Sequence, residues 1–210
     1  MTAGQRAAYD NHWPEYGLDL HDEKNNFAKR LESGSPVVLE IGFGMGDSLI
    51  EMCIAEPSCD FIGIEVHPPG VGRIISNAAA KGVQNLRVFL ADAKDVLTEC
   101  IPDNSLSRVQ IYFPDPWHKR KHNKRRLIQE NFMRQIAEKL SPLGVLHMAT
   151  DWEHYAEQML KVAAAESLLE NVSPTGGYSA RPNWRPETKF ERRGEKLGHE
   201  TWDLLFKKVV

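Results

Sequence analysis

The chain has little cysteine. Cys53, Cys59 and Cys100 are odd in number and lack CxxC spacing, which argues against a disulfide frame and against a zinc cage. No apolar run approaches the roughly 20 residues that a membrane span requires. The first residues, Met1-Thr-Ala-Gly-Gln-Arg-Ala-Ala8, contain no hydrophobic signal region. Internal repeats and low-complexity segments are also missing. These absences point to a soluble, cytoplasmic protein. What remains is ordinary for a globular chain: 210 residues suit one α/β domain, and 41% hydrophobic residues are enough for a packed core.

Short apolar runs alternate with helical patterns. Strands are expected over 36–42, 60–65, 86–90, 108–113 and 144–149, and helices over 47–55, 72–81, 93–99, 127–140 and 154–165. Such alternation predicts a mostly parallel, doubly wound α/β sheet with helices on both faces. Residues 1–34 read as an irregular polar N-terminal arm, and 35–210 as a single domain. A polar, basic insert at about 173–199 interrupts that domain, and Trp202-Asp-Leu-Leu-Phe206 supplies a last edge or antiparallel strand.

Glu40-Ile-Gly-Phe-Gly-Met-Gly46 follows a strand and precedes a helix. Gly42, Gly44 and Gly46 would let the backbone approach a ligand closely. The spacing G-x-G-x-G differs from the dinucleotide pattern G-x-G-x-x-G, and an acid stands two residues before the first glycine. Glu65 and Asp92 end the next two strands. Ligands of open α/β sheets bind beyond the carboxyl ends of the strands, so all three acids would face that crevice. One carboxylate can accept from ribose hydroxyls, one from an adenine amino group, and one can meet an ammonium. Together these needs match S-adenosylmethionine better than NAD, whose pyrophosphate an extra acid would repel. Each acid alone could equally be a helix cap.

Ile111-Tyr-Phe-Pro-Asp-Pro-Trp117 sets Asp115 between two prolines. From His118 to Arg126 there are six Lys or Arg and no acid; the chain total is −3, so the remainder carries −3 − 6 = −9. A dense basic block on an acidic protein points to a polyanionic partner. Trp117 could stack on a base or cover the core. His118 and His122, four apart, have flanking cations and no acid between them, so no metal site is expected. Thr150 and Asp151 end a strand near the same crevice, where a helix cap is the other reading.

The series Glu-Ile-Gly-x-Gly-x-Gly, Gly-Ile-Glu, Ala-Asp-Ala and Phe-Pro-Asp-Pro-Trp-x-Lys-x-x-His resembles the tRNA (guanine-N7-)-methyltransferase family of the bacterial TrmB type. The resemblance continues through Ala149-Thr-Asp151 and Thr188-Lys-Phe-Glu191 and spans roughly residues 5 to 206. It implies a Rossmann-like class I methyltransferase with a seven-stranded sheet. The expected reaction is methyl transfer from S-adenosylmethionine to guanine N7 at position 46 in the variable loop of tRNA. It further implies that Glu40, Gly42, Gly44, Gly46, Glu65, Asp92 and Asp115 contact S-adenosylmethionine, with Asp115 also the catalytic position. Lys119, Asp151, Thr188, Lys189, Phe190 and Glu191 would contact the substrate. Lys121, His122, Asn123, Lys124, Arg125 and Arg126 would lie against RNA. Either a monomer or a homodimer is compatible with this reading.

Guanine N7 carries a lone pair and no proton, so Asp115 is expected to orient the base and stabilise charge rather than remove a proton. In the insert, Arg181, Arg185, Lys189, Arg192 and Arg193 would meet phosphate. Two other readings compete: a nicotinamide-dependent dehydrogenase using the same glycine turn, and a non-catalytic RNA-binding module.

Overall fold

The apolar runs bounded by glycine, proline or charge fold as strands of one sheet in the computed structural model, which describes residues 1–20, 34–188, 191 and 200–209. In chain order the elements are α1 (Ala3–Tyr16), β1 (Gly17–Leu18), β2 (Val37–Ile41), α2 (Asp47–Ala55), β3 (Asp60–Glu65), α3 (Pro68–Lys81), β4 (Leu86–Leu90) and α4 (Ala93–Glu99). There follow β5 (Leu106–Tyr112), a 3-10 turn (Arg120–Arg125), α5 (Glu130–Lys139), β6 (Leu140–Thr150), α6 (Glu153–Ala164), β7 (Leu169–Asn171) and β8 (Trp202–Lys208).

The sheet order is β1-β4-β3-β2-β5-β6-β8-β7. Pairing is parallel from β1 across to β6, and β8 runs antiparallel to both β6 and β7. Chain direction across the sheet reverses beside β2, whose neighbours are β3 and β5, and a crevice opens at the carboxyl ends of β2 and β5. Eight strands stand where seven were expected. The extra one is the two-residue β1, paired with Val88 and Phe89 at the sheet edge.

The segment read as irregular is helical over Ala3–Tyr16. Its start is fixed by a capping box: the Thr2 hydroxyl accepts from Gln5 N, and the Gln5 side chain accepts from Thr2 N. Tyr9 and Trp13, one turn apart, stack at 4.6 Å, and the buried Tyr16 donates its hydroxyl to Val83 O at 2.9 Å. Gly72 permits the close approach of α1 to α3, since a Cβ there would sit 2.9 Å from Gln5 O. Tertiary packing thus creates a helix that apolar periodicity alone does not announce.

Val37, Leu39 and Ile41 point to one face of the sheet, where Val96, Ile136 and Met159 from α4, α5 and α6 complete the main core. The other face is apolar only under α1, α2 and α3, around Val38, Phe61 and Val88. Beyond β2 that second face turns polar. Glu40 pairs with Gln110, Gln110 with His147, and Ala149 beside them with Asp203, so a belt of buried polar side chains crosses four strands. Residues 184–188 lie over this belt, and the site is built there.

Candidate cofactor pocket and catalytic loop

A cavity of about 300 Å³ lies at the reversal point between β2 and β5. The glycine loop forms one wall, Tyr112 and Phe113 another, and Pro186 to Thr188 a third. Gly42, Gly44 and Gly46 take φ of 76°, 60° and 77°, the left-handed region that favours glycine. A Cβ on Gly42 or Gly44 would meet no protein atom within 4 Å, so those glycines leave open space, whereas one on Gly46 would collide with Ile74 at 2.6 Å. The loop's position also depends on α3. A Cβ on Gly70 would lie 2.1 Å from Gly44 O.

Four carboxylates line this cavity, from Glu40, Asp47, Glu51 and Glu187, and no Lys, Arg or His among the described residues does. Such a lining favours a cation and repels a pyrophosphate. Glu40 is 2% exposed and its Oε2 has no hydrogen-bond partner among the described residues. Burial pushes its carboxyl up from 4.5 to about 8, with Arg108 opposing. An ammonium would satisfy that orphaned acceptor.

Glu65 and Asp92 sit at the carboxyl ends of β3 and β4 as anticipated, but both hold local structure too. Glu65 Oε2 accepts from Gly44 N at 2.8 Å, and Oε1 accepts from Val66 N and His67 N at 2.8 and 2.9 Å. This carboxylate therefore buttresses the glycine loop, leaving little accepting capacity for a ribose. Asp92 caps α4 through Lys94 N at 2.8 Å and stays exposed.

Asp115 is exposed two residues beyond Phe113 and does not itself line the cavity, although it was expected to contact S-adenosylmethionine; it stands in a turn closed by Trp117 N donating to its Oδ1 at 3.1 Å. Phe113 and Trp117 on either side have φ of 49° and 44°. Left-handed backbone at two bulky residues costs on the order of 1–3 kcal/mol each and persists only where the surroundings impose it. At the near end Phe113 N donates to Ala149 O at 2.8 Å, and the Arg185 guanidinium lies 5.7 Å from the Phe113 ring. At the far end Arg126 Nε donates to Pro116 O at 2.8 Å.

The basic block does not behave as one unit. Lys119, Lys121, Lys124 and Arg125 are exposed, while His122 and Asn123 are half-buried. Arg125 lies 5.0 Å over the Trp117 ring, and His122 meets the same ring edge-on at 5.8 Å. Arg126, placed against RNA by the sequence reading, is turned inward and buried, where it donates to Pro116 O, His154 Nδ1 and Gln158 Oε1. Asp151 is exposed just after β6. Beside it, the exposed Trp152 holds His118 at 4.3 Å between ring centroids.

In the insert, Thr188 and Glu191 form a second capping box: Thr188 N donates to Glu191 Oε2 at 2.8 Å, and Glu191 N donates to Thr188 Oγ1 at 3.1 Å. Thr188 lines the cavity, but the Glu191 carboxylate is buried and also accepts from Arg185 Nη1 at 2.6 Å. Arg185 clamps both oxygens of Asp203 at 2.8 Å, so it is committed to acids rather than to phosphate. Lys189, Phe190, Arg192 and Arg193 lie outside the described residues.

His147, to which sequence reasoning gives no role, joins this network. Trp184 Nε1 can only donate, and it donates to His147 Nδ1 at 3.2 Å, so Nδ1 carries no proton. Nε2–H then donates to Asp203 Oδ1 at 2.7 Å, and the Tyr112 hydroxyl donates to Nδ1 at 2.9 Å. Burial keeps the imidazole neutral by lowering its pKa, against the pull of Asp203. Burial alone would raise the Asp203 carboxyl, yet hydrogen bonds from His147 and Arg185 hold it below 3.8. No spacing in the sequence announces this network; its members come from three strands and a loop.

The doubly wound sheet with an acidic pocket at its reversal point defines the fold of class I methyltransferases. Solved structures agree at the level of fold. The 16S rRNA methyltransferase KamB superposes with a TM-score of 0.65 at 17% identity, covering 90% of this chain and 96% of that one. A 16S rRNA (adenine(1408)-N(1))-methyltransferase from Catenulisporales acidiphilia, solved with SAM, gives 0.61 at 16% identity over 92% of each chain. A family model described as "Putative methyltransferase" matches residues 34–204. A tRNA (guanine-N(7)-)-methyltransferase of Saccharophagus degradans is 56% identical over 100% of this chain and 92% of its own length. One of Alcanivorax borkumensis is 54% identical over 99% and 87%. The chain belongs to the tRNA (guanine-N(7)-)-methyltransferase family.

Proposed function

We propose that this enzyme transfers the methyl group of S-adenosylmethionine to N7 of guanosine 46 in the variable loop of tRNA. The observation that carries the reading is a cavity lined by four carboxylates and, among the described residues, no cation, beside which stands a strained loop presenting Asp115. When bound, S-adenosylmethionine supplies the methyl: the N7 lone pair forms the new N–C bond, the S–C bond breaks, and S-adenosylhomocysteine and a cationic 7-methylguanine result.

Glu40 receives the donor's ammonium on its free Oε2. The open sides of Gly42 and Gly44 admit the donor, with Gly46 turning the chain into α2, while Asp92 offers its second oxygen to the adenine edge. Glu65 acts first by holding Gly44 and second by its one remaining lone-pair direction. Asp115 holds the guanine edge and stabilises the positive charge that arrives on the purine; it removes no proton because N7 has none. Thr188 and Asp151 border the base from two sides, with Glu191 fixing Thr188; Lys189 and Phe190, outside the described residues, are substrate contacts in this reading through the family resemblance alone. Lys119, Lys121, His122, Asn123, Lys124 and Arg125 present charge and hydrogen-bonding groups to phosphate. In this reading the enzyme works in the cytoplasm, as a monomer or a homodimer.

Incubating the protein with an unmodified tRNA transcript and radiolabelled S-adenosylmethionine, then cleaving the chain at 7-methylguanosine, tests the proposal. Scission at position 46 is expected. Label at another atom or position, or none with any tRNA, rejects it. For Asp115→Asn, turnover should fall while S-adenosylhomocysteine affinity is kept; wild-type turnover would remove Asp115 from its role.

A further inference from the structure

Arg126 closes the run of six cations yet is 2% exposed. Its guanidinium reaches the catalytic loop and α6 together. Nε donates to Pro116 O at 2.8 Å, and Nη1 donates to Gln158 Oε1 at 2.7 Å and to His154 Nδ1 at 3.1 Å. The plane lies 4.6 Å over the ring of Tyr155, which is fully buried. Gln158 is itself fixed by donating to Ile128 O at 2.9 Å, and Tyr155 by accepting from Ile128 N at 3.1 Å. The chain leaving the basic turn is therefore pinned to three side chains of α6, those of His154, Tyr155 and Gln158.

Pro116 is the residue after Asp115. Its carbonyl lies between Phe113 and Trp117, which hold φ of 49° and 44°. Exposed Asp115 has a single mapped local hydrogen bond, from Trp117 N. Such a turn stays in its strained form only if something outside it fixes its end, and the Arg126 fork supplies that fixed point. Lysine would keep the positive charge but could not span Pro116 O, Gln158 and His154 while stacking on Tyr155.

Resting on the methyl-transfer reading above, we propose that Arg126 is a positioning residue of that reaction. It sets the direction of Asp115 by locking Pro116 to α6, and it takes no part in holding phosphate. Misplacement of about 1 Å at a reacting centre is enough for a large rate loss, so kcat is the quantity it governs.

Arg126→Ala and Arg126→Lys in the full chain test this with tRNA transcript, S-adenosylhomocysteine calorimetry and tRNA binding across a salt series. Expected are a kcat loss of about 10- to 100-fold in both variants, unchanged S-adenosylhomocysteine affinity and an unchanged salt slope. Wild-type kcat in Arg126→Lys, or a salt slope reduced by about one in Arg126→Ala, overturns the proposal, because either marks a phosphate contact. If Arg126→Ala does not fold, Gln158→Leu decides: lowered kcat with normal tRNA affinity supports the lock, and normal kcat rejects it. A wild-type protein that makes no 7-methylguanosine rejects the function itself, whereas active wild type with unaffected variants rejects only the role of Arg126.

Discussion

With the donor's ammonium placed on Glu40 as proposed, donor binding is expected to be coupled to a proton. Its carboxyl is buried and pushed up from 4.5 to about 8, so at pH 7 about nine-tenths of unliganded molecules hold it neutral. An ammonium brought against Oε2 favours the charged form and reverses that balance. Binding of S-adenosylhomocysteine at pH 7 should then release about 0.9 proton, falling as pH rises past 8 because the group is already ionised. Calorimetry in two buffers of different ionisation enthalpy measures this directly, since the dependence of observed heat on buffer enthalpy gives the proton count.

Glu40→Gln should abolish the release and weaken binding by about 1.5–3 kcal/mol, the worth of a hydrogen bond to a charged group. Stability supplies an independent check. A folded pKa above the unfolded one means that the contribution is fully present below about 4.5 and is lost as pH rises through about 8. The rise corresponds to at most ~5 kcal/mol. Unfolding free energies should therefore shift in favour of Glu40→Gln as pH climbs across that window. Equal proton release by wild type and Glu40→Gln would refute the assignment, as would none in wild type at pH 7.

Three further outcomes follow from other parts of the site. Arg185→Leu leaves Asp203 and Glu191 buried without their cation and should cost about 3–5 kcal/mol in urea unfolding; an unmoved midpoint would mean the network is not stabilising. Gly70→Ala puts a methyl 2.1 Å from Gly44 O, and S-adenosylhomocysteine affinity should drop about tenfold or more as the loop shifts. Retained affinity would show that the loop tolerates the displacement. Replacing Lys121, Lys124 and Arg125 together by Ala should lower the slope of log tRNA affinity against log salt by about two to three and leave donor binding intact; an unchanged slope would move the RNA surface elsewhere.

Short elements with turn or capping residues at their ends were the easiest to read, because their limits are chemical. Asp47–Ala55, Asp60–Glu65, Leu86–Leu90 and Ala93–Glu99 fall where their residues predict. The helix expected from Leu127 starts instead at Glu130. Residues 126–128 are drawn out to reach α6, and Gln129 Nε2 closes the turn onto Asn123 O and Arg126 O. Periodicity sees the apolar Leu127 and Ile128 but not that tertiary pull. Strand β6 begins at Leu140 and passes through an irregular stretch, with Leu143 at φ 64°, where the residues read as a helix stop. Strand β7 is three residues long, too short for any period to register. Glu40 was legible as an acid near the end of β2 and Asp115 as an acid just past β5. Arg126 and Arg185 were misread for one reason: a count of charge cannot tell an exposed cation from one enclosed by acceptors.

That distinction bears on the chemistry. Methyl transfer needs an acidic interior, where a sulfonium and an ammonium are held, and a basic exterior, where phosphates bind. A bare guanidinium beside the pocket would oppose the first requirement. Arg185 lies 5.7 Å from the Phe113 and Tyr112 rings that wall the cavity, but two buried carboxylates bond it and cancel its field there. Arg126 spends its donors on a carbonyl, an imidazole and an amide, and so supports the strained loop from behind. The remaining cations, Lys119 to Arg125, stay on the outside, where their long-range field can draw in a polyanion. One contiguous basic sequence thus serves two opposite electrostatic needs, because the fold turns its last residue inward.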